Sequence, residues 1–139
     1  MKNILVLCTG NSCRSQIAHG FLAHYAGKKA NIYSAGIETH GLNPNAVAAL
    51  NEVGLDISHH SSNLVDDYWD INFDFIITVC DHAAENCPVF PSATAKRLHQ
   101  NFSDPSKIKG SVSEIQAAFR KTRDDIQRYC MHFVESYLD

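Results

Sequence analysis

The chain has 139 residues and a formal net charge of −3, with 45% hydrophobic and 19% charged residues. That is enough apolar material to bury a core in one domain spanning residues 1–139, and it excludes a disordered chain. The twelve Lys and Arg are scattered, with no run longer than Lys28-Lys29, so the sequence lacks the basic face of a nucleic-acid binder. The N-terminal apolar run, residues 4–7, is too short for a signal peptide or a membrane span, which predicts a cytoplasmic protein without membrane contact. Cys8, Cys13, Cys80, Cys87 and Cys130 are an odd set. They argue against a disulfide framework and for catalytic, redox-active, metal-bound or buried thiols.

Residues 4–7, Ile-Leu-Val-Leu, have the pattern of a strand buried on both faces. A polar loop over residues 8–14 follows. Ile17, Ala18, Phe21, Leu22 and Tyr25 then recur at helical spacing and predict a helix over residues 15–26. Residues 31–35 are a second candidate strand. Pro44 suits the first position of a helix that continues through residues 46–53 until Gly54 stops it. Residues 73–79, Phe-Asp-Phe-Ile-Ile-Thr-Val, form the clearest strand pattern in the chain. A short helix is expected over residues 81–86, ended by Pro88, and a further strand over residues 95–98. Ile115, Phe119, Thr122, Ile126, Tyr129, Phe133 and Tyr137 alternate at three and four, which predicts a long amphipathic helix over residues 113–138 with Ser113 as its N-cap. Strands alternating with helices indicate a three-layer α/β fold, a short parallel sheet of about four strands flanked by helices. Ligands in such folds sit beyond the carboxyl ends of the strands. Cys8 and Cys80 each lie at such an end, so both should face one crevice.

Cys8-Thr9-Gly10-Asn11-Ser12-Cys13-Arg14-Ser15 fits the pattern Cys-x5-Arg-Ser. A loop wrapped in this way turns successive backbone N–H groups inward, a nest for a tetrahedral anion. The helix beginning near Ser15 adds its positive end. Gly10 and Asn11 tolerate the left-handed backbone a tight loop needs, and the planar fork of Arg14 can clamp two anion oxygens. Residues 9–15 are thus the candidate anion-binding set. The same field should lower the Cys8 pKa and make it a nucleophilic thiolate, with the Ser15 hydroxyl placed to hydrogen-bond it. The pattern is short, and its weight comes from the strand before it and the helix after it.

At these residues the chain resembles the thioredoxin-coupled arsenate reductases, which share the low-molecular-weight tyrosine phosphatase (phosphotyrosine phosphatase I-like) fold. The resemblance continues through residues 33–41 with Asn43-Pro44, residues 53–58, Val79-Cys80, Asn86-Cys87-Pro88 and Phe102-Ser103-Asp104-Pro105, in that order and over nearly the whole chain. It implies a relay. Cys8 attacks arsenate, Asp104 is the general acid for the leaving hydroxyl, Cys80 attacks the Cys8 sulfur as arsenite departs, and Cys87 takes over the disulfide from Cys80. External thioredoxin, with its NADPH-dependent reductase, is the implied reductant, and no bound cofactor is expected. Phosphate and sulfate should compete with arsenate. Neither nucleic acid, membrane nor a second copy of the chain is an expected partner. If residues 80–87 were helical, their Cα atoms would lie roughly 10 Å apart, beyond the about 7 Å a disulfide tolerates. That segment must therefore unwind during turnover.

Four departures and two rivals qualify the resemblance. His19 and Asn63 stand where relatives carry acidic residues associated with a potassium site, so a hard cation should bind poorly and no metal is expected. Gln100 and Ser103 stand where relatives tend to have Trp and Asp. A zinc site from Cys80, His82 and Cys87 lacks the tight Cys-x2-Cys pairs of structural zinc sites. His59-His60 reads as surface, and Cys130 as core or half-buried. The first rival is a low-molecular-weight phosphotyrosine phosphatase, which needs only Cys8, Arg14 and Asp104. That class tends to carry an aromatic after Asp-Pro, where this chain has Ser106, and it has no use for Cys80 and Cys87. The second is a non-catalytic thiol protein that sequesters arsenite or zinc.

Overall fold

The computed structural model describes residues 1–81, 83 and 95–138. Its four strands, β1 (Lys2–Cys8), β2 (Ala30–Gly36), β3 (Phe75–Thr78) and β4 (Lys96–His99), form one parallel sheet in the order β2-β1-β3-β4. Among the described residues the α-helices are α1 (Arg14–Ala26), α2 (Pro44–Asn51) and α3 (Val112–Tyr137). All four expected strands are present. The first two run longer than expected, because the backbone ladder extends past the apolar residues from Lys2↔Ala30 to Cys8↔Gly36. β3 is shorter than residues 73–79. Phe73 leaves the ladder to pack edge-on against Tyr33, while Phe73 and Val79 both stay buried.

Both sheet faces are covered, since Ile4, Leu5, Val6 and Leu7 are all fully buried. In-register partners of a parallel sheet point the same way. Ile4, Ile32 and Phe75 therefore share the face on which the Phe75 ring meets Phe133 and Tyr137 of α3. Leu5, Tyr33 and Ile76 face the other side, where Tyr33 meets Tyr68 at the end of a 3-10 turn, Val65–Tyr68.

Two helix expectations are corrected. α3 starts earlier than residue 113, and its N-cap is Ser111, whose hydroxyl accepts from Glu114 N while the Glu114 carboxylate accepts from Ser111 N. That reciprocal pair is a capping box, and Ser113 lies inside the first turn. α2 ends at Asn51 and not at Val53, and the chain turns through Gly54 at φ 84°. α1 is buried almost all round its first two turns, polar Ser15 and Gln16 included, because one side faces the sheet and the other faces the loop network described below. Of the short helix expected over residues 81–86, Asp81 and Ala83 are helical. The remainder of that expectation, with Pro88, lies outside the described residues. No helix among the described residues is long and apolar enough to cross a membrane.

β1 lies between β2 and β3, so the strand order reverses beside it. Such a switch point opens a crevice at the carboxyl ends of the strands. Cys8 ends β1, and Cys80 follows β3 by two residues, so the topology brings both sulfurs to that crevice.

Candidate active site

The loop after β1 is shaped from outside. Thr9 O accepts from Glu38 N, Gly10 O from His40 N and Ser62 Oγ, Asn11 O from Gln16 Nε2, Ser12 O from Asn43 N, and Cys13 O from Ile17 N. Five successive carbonyls are therefore held outward. In trans peptides this turns the following N–H groups, from Gly10 to Arg14, toward the cavity. The segment after β2 supplies three of the loop's outer donors, Glu38 N, His40 N and Asn43 N. Gly36 must be glycine for that segment to come so close: a Cβ there would sit 2.7 Å from Thr9 O and 2.8 Å from Asn11 N.

Asn11 adopts the left-handed conformation, φ 48°, and is fully buried. Its Oδ1 accepts from Asn63 N at 2.8 Å, which fixes the amide so that Nδ2 donates to Ser15 Oγ at 2.8 Å. Gln16 Nε2 bonds Asn11 O, Asn11 Oδ1 and Ser61 O, leaving Gln16 Oε1 to face His60 Nδ1 at 3.0 Å. The His60 ring stacks on His19 at 4.2 Å, and His19 Nδ1 meets Ser34 Oγ at 2.8 Å. His60 thus belongs to the site's inner wall and not to the surface reading given to it from sequence. Burial, and then the charges of His60 and His59, hold His19 down to about 3, so it is neutral at physiological pH.

Cys8, Thr9, Gly10, Ser12, Cys13, Arg14, His40, Asp104, Ser106 and Lys107 line a cavity of about 300 Å³. Arg14 Nη1 donates to Phe102 O at 2.9 Å, and Nη2 to Asp104 Oδ2 at 3.4 Å. The other Asp104 oxygen accepts from Ser106 N and Ser106 Oγ. Asp104 is therefore both the cap of a 3-10 turn, Pro105–Lys107, and a wall of the anion cavity. A second cavity, about 430 Å³, lies beside the first and shares Thr9, Arg14, Asp104 and Lys107 with it. It adds Cys80, Asp81 and Asn101. His40 and Lys107 were missed by the sequence reading, because only tertiary packing brings them to the loop.

Hydrogen bonding between the Cys8 and Cys80 sulfurs couples the ionisation of the two thiols. That bond and burial push the Cys8 thiol up against the pull of Arg14. Cys80 is pulled down to about 5 by the same bond, helped by the Thr9 hydroxyl (3.3 Å from its sulfur), the Ala83 N–H and the Arg14 charge. The first ionisation therefore belongs to the Cys8–Cys80 pair, with the Arg14 charge favouring the thiolate on both sulfurs. Burial, and then the charge of Asp104, raise Cys13 to about 12, so it remains a thiol. Cys130 is buried in the core and also raised by burial. Cys87 and His82 lie outside the described residues. Among the described residues no cluster of three or more His, Cys, Asp or Glu could hold a metal.

A Cys-x5-Arg nest at the switch point of a four-stranded parallel sheet defines a class of thiol-dependent oxyanion enzymes. The chain belongs to the low molecular weight phosphotyrosine protein phosphatase family, whose model matches residues 3–138. It is 49% identical over 135 residues to an arsenate reductase of Shouchella clausii, covering 97% of this chain and 96% of that one. It is 47% identical over 135 residues to an arsenate reductase of Bacillus subtilis, with the same coverage. A solved structure described as an arsenate reductase in the phosphate binding state superposes over the whole of both chains with a TM-score of 0.79 at 26% identity.

Proposed function

We propose that this chain is an arsenate reductase, acting in arsenic detoxification, that works by a Cys8, Cys80 and Cys87 relay. The observation that carries the reading is a second thiol beside the loop: the Cys80 sulfur meets the Thr9 hydroxyl at 3.3 Å, next to Cys8. A phosphatase needs one thiol there, whereas a two-electron reductase needs a second within reach.

Arsenate sits among the loop N–H groups, with Arg14 clamping its oxygens. Proton transfer across the sulfur pair arms Cys8. Ser15, whose Oγ accepts from Asn11, has its own proton to give to the Cys8 sulfur. The thiolate attacks arsenic, Asp104 protonates the departing hydroxyl as water, and a Cys8–arsenic(V) adduct forms. Cys80 then attacks the Cys8 sulfur. The sulfur–arsenic bond breaks with its electron pair going to arsenic, arsenic(III) leaves as arsenite, and a Cys8–Cys80 disulfide remains. Cys87 attacks Cys80 and frees Cys8. A thioredoxin dithiol reduces the Cys80–Cys87 bond, so two electrons pass per turnover. The cavity beside the nest supports this relay, since it is lined by Cys80 together with Thr9, Arg14 and Asp104 of the first cavity.

The phosphatase rival keeps one specific point in its favour: its parts are all present in the first cavity. Ser106 stands after Asp104-Pro105, where that class tends to carry an aromatic, so weak, unselective phosphatase activity is the expected residue of the shared loop. The test is arsenate-dependent NADPH oxidation with thioredoxin and its reductase, run beside a glutaredoxin system. Sustained turnover with thioredoxin is expected. Phosphate release from aryl phosphates with no arsenate turnover would favour the phosphatase, and stoichiometric arsenite binding without turnover would favour the sequestering protein.

A further inference from the structure

Thr78 and His99 are register partners at the ends of β3 and β4, so their side chains rise on the same face of the sheet. Thr78 Oγ1 and His99 Nδ1 are 2.7 Å apart, and His99 Nε2 lies 2.7 Å from Asp81 Oδ1. A carboxylate only accepts, so Nε2 carries a proton, and in the neutral ring Nδ1 accepts from the Thr78 hydroxyl. Asp81 is tied a second time, through its N–H to Asn101 Oδ1 at 3.1 Å. This chain of contacts leaves the sheet and ends on the residue next to Cys80.

The His99 and Asp81 side chains are 38% and 69% exposed. An exposed pair of this kind adds little to stability, about 0–1 kcal/mol. The sheet beneath it is already held by its backbone ladder. What the pair fixes is the peptide that carries the Cys80 sulfur, whose neighbours Thr9 and Cys8 define where that sulfur must be.

We propose that Asp81 and His99 are positioning residues. They hold Cys80 in reach of Cys8 and raise its effective concentration for Cys8–Cys80 disulfide formation, with no part in binding the oxyanion. The proposal rests on the relay reading, but its test does not use arsenate. In the Cys87→Ser protein, the Cys8–Cys80 bond is equilibrated against glutathione, two thiols and one glutathione disulfide giving one protein disulfide and two reduced glutathiones. Alkylation and peptide mass spectrometry measure the bond and give the effective concentration.

Asp81→Ala and His99→Ala should each lower that concentration about tenfold, the loss expected when an intramolecular partner is no longer held in place. The double variant should be no lower than either single one, because both break the same contact. Asp81→Asn keeps an acceptor oxygen and should restore the value to within about twofold. Inorganic phosphate affinity and the melting temperature should stay at the parent's values throughout. An unchanged effective concentration in Asp81→Ala would overturn the proposal. So would Asp81→Asn behaving like Asp81→Ala, which would make the effect one of charge, or a parallel loss of phosphate affinity, which would make it one of general damage. If the proposal holds while arsenate turnover is absent, the relay reading alone has failed.

Discussion

At the sulfur pair, the coupling of the Cys8 and Cys80 thiols makes a sharp prediction. Thiolate absorbance near 240 nm should report one thiolate per chain at neutral pH, lost on acidification near the Cys80 value of about 5. In Cys8→Ala, Cys80 loses its largest stabilising contact, and the midpoint should rise by about one pH unit or more. An unmoved midpoint would show that the two thiols are not coupled. Gly10 offers a second residue-scale test. A Cβ there would lie 2.3 Å from the His40 ring, so Gly10→Ala must push His40 off the cavity wall or open the loop. Phosphate affinity should fall by about tenfold or more, and isothermal titration reads it directly. At this scale the sequence was informative where chemistry and spacing coincide, at Cys8, Arg14 and Cys80. It was silent on His40, Lys107 and the His99–Asp81 contact, because those residues reach the crevice through strand register and loop packing. Nor did it show the coupling of the Cys8 thiol to Cys80, since that sulfur lies 72 residues away in the chain and acts through a contact no local pattern displays.

Among the elements, the long C-terminal helix separates two readings of its start. Ser111→Ala removes the capping box and should cost about 1 kcal/mol, whereas Ser113→Ala, inside the first turn, should leave the melting temperature nearly unchanged. Equal losses in the two variants would contradict the cap assigned here. The misplacement of that cap has a plain cause: the apolar period starts at Ile115, and Ser111, Ser113 and Glu114 all precede it, so only the side-chain geometry selects Ser111. Elements with a buried apolar run, β1 and β3, were legible to within two residues. Their edges were not, because ladder hydrogen bonds extend through Lys2 and Asn3 whatever their side chains. The buried roundness of α1 was likewise hidden. Gln16 is fully buried, and its amide bonds Asn11 and Ser61 of the loop network, which helical spacing of apolar residues does not display.

Across the whole molecule, the neutral His19–His60 stack links stability to pH. His19 is held near 3 in the folded chain, and its unfolded value is about 6.5. The folded state therefore binds fewer protons than the unfolded state between those values. Its contribution is complete above about 6.5 and is lost as pH falls toward 3, with a slope of up to about 1.4 kcal/mol per pH unit. Melting curves between neutral and mildly acidic pH should fall more steeply for the parent than for His19→Gln; parallel curves would remove His19 from the account. The same wall supports Asn11 and the loop, so fold and chemistry meet at one place, the switch point beside β1. The central claim is that two thiols there deliver two electrons to arsenic, and a single-turnover assay without any external reductant tests it most directly. Fully reduced Cys87→Ser protein mixed with excess arsenate should release one arsenite per chain, with loss of two thiols and a Cys8–Cys80 disulfide in the peptide map. Release of no arsenite, or arsenite formed while Cys80 stays a free thiol, would contradict it.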